Sequence, residues 1–214
     1  MINWIEPNTD PHFPDTESVL EEPAGLLAAG GQLSVEWLVL AYRQGIFPWF
    51  NEGEPILWWA PAPRTVLYPQ NFHASKSLCK LHRQQRYQIS EDNDFRAVIE
   101  ACAQDRSGQN GTWINTQMIE AYITMHEAGF AHSIECRHQG ELVGGLYGIS
   151  LGKVFFGESM FSKAANASKL CLKYLVDSTS YEMIDCQLPT EHLHSLGAID
   201  ISREEFEAAL NRWT

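Results

Sequence analysis

The sequence predicts an α+β protein in which a small N-terminal domain leans on a larger one, and three observations lead there. Its 214 residues suffice for one good core or for a small domain against a larger one. The segment Ala60-Pro61-Ala62-Pro63 carries two prolines, which disfavour helix and make a stiff extended connection, so a boundary is placed there, dividing the chain into 1–62 and 63–214. Beyond it, amphipathic helix patterns surround a run of strands and tight turns that reads as an antiparallel meander. The composition, 44% apolar and 20% charged, is ordinary for a globular chain. No apolar run approaches the ~18 residues that a membrane span needs.

Ser34 is a natural N-cap for a helix from Val35 to about Gln44, with Leu38, Val39 and Tyr42 on one side and Gly45 as its stop. Phe47 to Trp59 follows, FPWFNEGEPILWW, which crowds five rings into 13 residues and breaks them with prolines and a glycine. That stretch reads as an irregular loop. Past the boundary, Arg64–Tyr68 reads as a strand and HASKSLCKLHRQQR as a helix. Phe95, Val98, Ile99 and Cys102 mark another helix, and Asn115 or Thr116 caps a third, carrying Ile119, Tyr122 and Ile123 to Gly129. His132–Cys136 and Glu141–Tyr147 form a hairpin, with Lys153–Phe156 as the next strand. A helix over Lys163–Asp177 faces the core through Ala167, Leu170, Cys171 and Tyr174, and Met183–Gln187 closes the series as a strand. The sequence contains no internal repeat.

The formal net charge of −12 argues against non-specific binding to DNA or RNA, whose backbone the chain as a whole would repel. It leaves room for a local basic patch: Lys76, Lys80 and Arg83 fall at i, i+4 and i+7, a single helix face. Five cysteines form no C-x-x-C pair and cannot all be bridged within one chain, which suits reduced thiols in a cytoplasm. The N-terminus has no basic segment leading into an apolar one, so nothing marks it for export.

Candidate chemistry gathers at four places. The aromatic stretch is either core or the lining of a pocket, and the residues alone leave both open; tryptophan on a loop is also suited to stacking on a nucleobase. Glu158, expected just after an apolar strand, needs a partner, which is either an internal cation or a cationic substrate. Asp185 and Gln187 stand two apart on a strand, so both side chains share one face and suit the holding of an amine. His192 and His194 beside Glu191 offer no identifiable further metal ligand, and no metal site is expected.

Taken in order, PAGLLAAGGQLSVEWLVLAYRQGIFPWF, PILWWAPAPR, GTWIN, AHSIE, ELVGGLYG, FFGESMFS, NASK and IDCQ with HLHSLGA closely resemble the leucyl/phenylalanyl-tRNA-protein transferases. The resemblance runs collinearly from about Pro23 to Ala198. It implies a small N-terminal α/β domain packed on a C-terminal domain similar to the N-acetyltransferases, with a mainly antiparallel sheet. It implies transfer of leucine or phenylalanine from aminoacyl-tRNA to the N-terminal amine of proteins beginning with Arg or Lys, which marks them for degradation. By the same resemblance, Asp185 and Gln187 are the catalytic pair, and Glu158 binds the acceptor's cationic side chain. Trp49 and Trp113 take the terminal adenosine; Tyr122, Leu146, Phe155 and Ile184 belong with them to the donor pocket, Leu146 standing where methionine is common. Lys76, Lys80 and Arg83 hold tRNA phosphates, and no cofactor is implied. The acetyltransferase likeness raises a coenzyme A-dependent N-acyltransferase as the alternative, but a Q-x-x-G-x-G/A loop is missing where Ser162–Ser168 stands. A non-catalytic adaptor for basic N-termini is the remaining one.

Overall fold

A computed structural model describes residues 2–104, 114–178 and 180–214 of the chain. The first part contributes β1 (Asn3–Ile5), β2 (Leu26–Gly30), α1 (Val35–Arg43), β3 (Phe47–Pro48) and β4 (Leu57–Trp59). The strands form a four-stranded sheet in the order β1-β2-β4-β3. Ser34 caps α1 by accepting from the Trp37 N–H, and Trp37, Leu38, Ala41 and Tyr42 make its buried face. Gly45 ends the helix at φ +72°, and a Cβ there would lie 2.6 Å from the Phe206 ring. Glycine is required both for the turn and for that approach.

The aromatic stretch differs from the expected irregular loop. Phe47 pairs with Trp59 and Pro48 with Trp58, so the ends of the stretch zip into a short antiparallel hairpin. Pro48 is tolerated because β3 is an edge strand. The hairpin also sorts the rings: Phe47, Phe50 and Trp58 are buried, whereas Trp49 is 39% exposed.

The rest of the chain contributes β5 (Arg64–Leu67), α2 (Lys76–Arg83), β6 (Gln88–Glu91), α3 (Phe95–Ala103), α4 (Thr116–Glu127), β7 (Ala131–His138), β8 (Glu141–Leu151) and β9 (Val154–Ser162). It continues with α5 (Ala167–Ser178), β10 (Met183–Gln187), α6 (Glu191–Ser195), β11 (Ile199–Ile201) and α7 (Arg203–Trp213). Its seven strands lie in the order β11-β5-β10-β9-β8-β7-β6. The β10–β9 pair is parallel, and the other pairs of this sheet are antiparallel. Two expectations are corrected. β9 runs on to Ser162, placing Glu158 inside a strand and not after one, and α5 begins at Ala167, four residues later than the apolar pattern suggested. The extra length of β9 comes from pairing with β8 on both sides of a register shift at Glu158, a tertiary ladder that overrides local composition.

Period-two alternation divides the large sheet between two clusters. Leu146, Phe155 and Ile184 pack with Leu170, Leu172 and Leu175 of α5. Their neighbours Tyr147, Phe156 and Met183 pack on the other side with α3, α4 and the N-terminal residues Tyr42 and Trp58. Both faces are therefore covered.

Candidate functional site

The site lies where β9 and β10 run parallel. Leu146, Phe155 and Ile184, named as donor-pocket residues, line one cavity there, and Leu172, Leu175 and Met160 complete its apolar wall. Its volume is about 160 Å³, close to the ~150 Å³ of an apolar cavity that holds a benzene ring. Gly148 is what lets the wall close in: a Cβ there would stand 2.2 Å from the Phe156 carbonyl oxygen and 2.6 Å from the Phe155 ring. Glu158, Asp185 and Ser159 contribute polar groups to the lining.

Glu158 is 8% exposed. Its Oε1 accepts from the Tyr42 hydroxyl at 2.7 Å and from Gln187 Nε2 at 2.8 Å, and its Oε2 accepts from the Tyr122 hydroxyl at 3.0 Å. The two tyrosine hydroxyl oxygens also lie within hydrogen-bonding reach of each other; with one proton apiece the tyrosines fill two of these three contacts at once, and a protonated Glu158 supplies the third. Burial pushes the Glu158 carboxyl up to about 7; the tyrosine hydrogen bonds hold it down, and neighbouring Asp185 and Arg64 act in opposite directions. Burial in the first place, with the Glu158 charge next, raises the Tyr42 and Tyr122 hydroxyls well above their ordinary value, so both remain donors. This placement bears on two sequence expectations. Tyr122 is fully buried beneath Glu158 and does not line the cavity. Glu158, expected to need a partner, has its oxygens met from within by Tyr42, Tyr122 and Gln187, as a carboxyl this deep requires.

Asp185 is fully buried and accepts from Arg64 twice, Nε to Oδ1 at 2.8 Å and Nη2 to Oδ2 at 2.7 Å. Its Oδ1 also accepts the Gln187 N–H at 2.9 Å. The two-residue spacing does bring Asp185 and Gln187 into one network, though through a bulge and not through simple alternation. The β10–β5 register shifts between them, and Gln187 takes φ +64°. Because the Gln187 Nε2 donates to Glu158, its amide oxygen is the end left to accept from a ligand.

Trp49 packs against Trp59, ring centroids 5.4 Å apart, and the Trp59 Nε1 donates to the Trp49 carbonyl at 2.7 Å. Both line a shallow depression with Phe50, Asn51, Glu54 and Leu57. Trp113, its expected companion, lies outside the described residues. Lys76, Lys80 and Arg83 are exposed on α2, opposite the buried Leu78. His194, weighed as a metal ligand, has its Nε2 3.0 Å from Asp200 Oδ1. Among the described residues, Glu91, Asp92 and His132 bring possible ligand atoms within 4.8 Å of one another, and Asp92 is already engaged by His132 and the Ser133 N–H.

Sequence reasoning missed Tyr42 and Arg64. Tyr42 was legible as a core residue of α1 but not as a donor to Glu158. Arg64 carried a signal of the same kind as Glu158: a charge at the head of the apolar strand Thr65-Val66-Leu67 has to find a partner.

A family described as leucyl/phenylalanyl-tRNA protein transferase matches residues 66–211, and the description of its N-terminal domain matches residues 31–62. A leucyl/phenylalanyl-tRNA–protein transferase of Pseudomonas fluorescens is 56% identical over 209 residues, covering 96% of this chain and 92% of the relative. The protein of that name from Pseudomonas aeruginosa is 53% identical over 217 residues, covering 100% of this chain and 95% of its own. A solved GCN5-related N-acetyltransferase from Kribbella flavida overlays 74% of this chain and 57% of its own, with a TM-score of 0.40 and 8% identity.

Proposed function

The chain belongs to the leucyl/phenylalanyl-tRNA protein transferase family, and on that premise we propose that it places leucine or phenylalanine on proteins beginning with Arg or Lys and so marks them for degradation. It is an aminoacyltransferase, which sets aside the coenzyme A-dependent and adaptor alternatives.

The observation that carries the site assignment is the apolar cavity of about 160 Å³ walled by Leu146, Phe155 and Ile184 with carboxylates at one side. The aminoacyl side chain enters it, leaving the ester carbonyl beside Gln187. The acceptor's α-amine, whose ordinary pKa is about 7.7–8.0, is partly neutral near pH 7 and needs no covalent intermediate to attack an activated ester. Its nitrogen bonds to the carbonyl carbon, the bond from that carbon to the ribose oxygen breaks, and the amine's proton leaves with the freed ribose hydroxyl. Gln187 accepts an amine N–H through its amide oxygen; an amide is no base, so its contribution is orientation. Asp185 fixes the Gln187 backbone. Glu158 fixes the amide, and in its ionised form, reached as pH rises through about 7, it favours a cationic acceptor side chain. Trp49 gives the terminal adenine a stacking face, and Lys76, Lys80 and Arg83 hold phosphates, which position the tRNA without reading its bases. The chemistry calls for no metal or organic cofactor, and the reduced cysteines suit a cytoplasmic setting. The change of sheet between Trp59 and Arg64 supports domains of 1–62 and 63–214.

Incubation with labelled leucyl-tRNA and peptides differing only in their first residue tests the proposal. Label is expected on peptides beginning with Arg or Lys and not on those beginning with Glu or Ala. Equal labelling of all would overturn the acceptor assignment.

A further inference from the structure

We infer that Arg64 is a positioning residue of the transfer reaction, acting through Asp185 and Gln187; the inference rests on the site proposed above. Arg64 is 1% exposed at the head of β5. Its guanidinium meets both oxygens of Asp185, as given above, and lies between two rings, with Cζ 4.9 Å from the Phe47 centroid and 4.8 Å from the Phe206 centroid. Phe47 belongs to β3 of the small sheet and Phe206 to α7, so the cation is gripped from two separate parts of the fold.

What this grip controls is the next bond along. The Asp185 Oδ1 that takes Arg64 Nε also takes the Gln187 N–H at 2.9 Å. Gln187 stands at φ +64°, where a non-glycine residue persists only when its surroundings impose it. From that backbone position its Nε2 reaches Glu158 at 2.8 Å, and its oxygen is left for the amine. Arg64 therefore sets the aim of Gln187 through two carboxylate oxygens.

Stability alone does not explain the pair. Replacing a buried ion pair by packed apolar groups is often neutral or stabilising, and here the pair leaves Arg64 Nη1 without a hydrogen-bond partner among the described residues. A planar fork does explain it: two parallel N–H groups fix the plane of a carboxylate and fit between two rings, which an ammonium cannot do.

Arg64→Lys in the full chain keeps the charge and removes the fork. We expect melting close to wild type, nearly unchanged KM for leucyl-tRNA and for an arginine-initiated peptide, and kcat lower by about 100-fold, the scale of a 1 Å misplacement. In Arg64→Ala, millimolar guanidinium is expected to return part of kcat, and urea at the same concentration is not. A folded Arg64→Lys with wild-type kcat overturns the inference. So does a raised KM at unchanged kcat, or a loss that follows the unfolded fraction and resists guanidinium. Gln187→Ala separates the two levels: if it retains wild-type kcat, the site reading itself fails, whereas an inactive Gln187→Ala beside an active Arg64→Lys removes Arg64 alone.

Discussion

Glu158 combines deep burial with three donors, and the balance between these decides its titration. An ordinary carboxyl titrates near 4.5, whereas burial moves this one to about 7. Between those values the folded protein holds a proton that the unfolded chain has released. The associated stability is fully present below pH 4.5 and is lost as pH rises through about 7, on the order of 3 kcal/mol in all. Glu158→Gln removes the titration. Thermal melts across pH 4.5–7.5 are expected to show a shallower fall in Tm for the variant than for the wild type; parallel curves would contradict a raised carboxyl. The slope is the proper readout, because glutamine also faces the Gln187 amide with a donor and shifts the absolute Tm for a separate reason.

At the scale of elements, α2 and β10 show opposite degrees of legibility. The 3.6-residue period of α2 states both its faces: Leu78 buried, with Lys76, Lys80 and Arg83 exposed. Replacing the three cations by alanine is expected to weaken tRNA binding and to flatten the plot of log affinity against log salt by roughly 2–3 units, about 0.7–0.9 per lost phosphate contact. Titrations at several salt concentrations check this, and an unchanged slope would remove α2 from the interface. β10 was equally clear as a strand, but its bulge was not. Glutamine has no special preference for φ +64°, and the conformation follows from the Asp185 contact and the β5 register.

Across the whole molecule, the two sheets share one core. Trp37, Leu38, Tyr42 and Trp58 from the small sheet and its helix join Val98, Tyr122, Tyr147, Phe156 and Phe206 in a continuous cluster. The Tyr42 hydroxyl bond to Glu158 runs from the first part of the chain into the second. We therefore expect a single unfolding transition in calorimetry, with calorimetric and van't Hoff enthalpies equal. Two resolved transitions would mean that the parts fold independently despite the shared cluster.

The sequence by itself determined what depends on near neighbours. Helix positions and caps such as Ser34 and Asn115 follow from hydrogen bonds that close within three residues. The grouping of Leu146, Phe155 and Ile184 in one apolar pocket came from the family resemblance, carried by the motifs ELVGGLYG, FFGESMFS and IDCQ. Only the tertiary structure decided which polar groups meet. Glu158 finds Tyr42 across 116 positions, Tyr122 across 36 and Gln187 across 29, while Arg64 finds Asp185 across 121. The Gln187 and Asp185 partnerships exist because β5 and β9 flank β10 in the folded sheet, and the tyrosine ones because α1 and α4 pack into the same core as β8 and β9. A buried charge announces in the sequence that it needs a partner, since desolvation makes solitude too costly; the packing of strands and helices chooses the partner, and no local periodicity contains it.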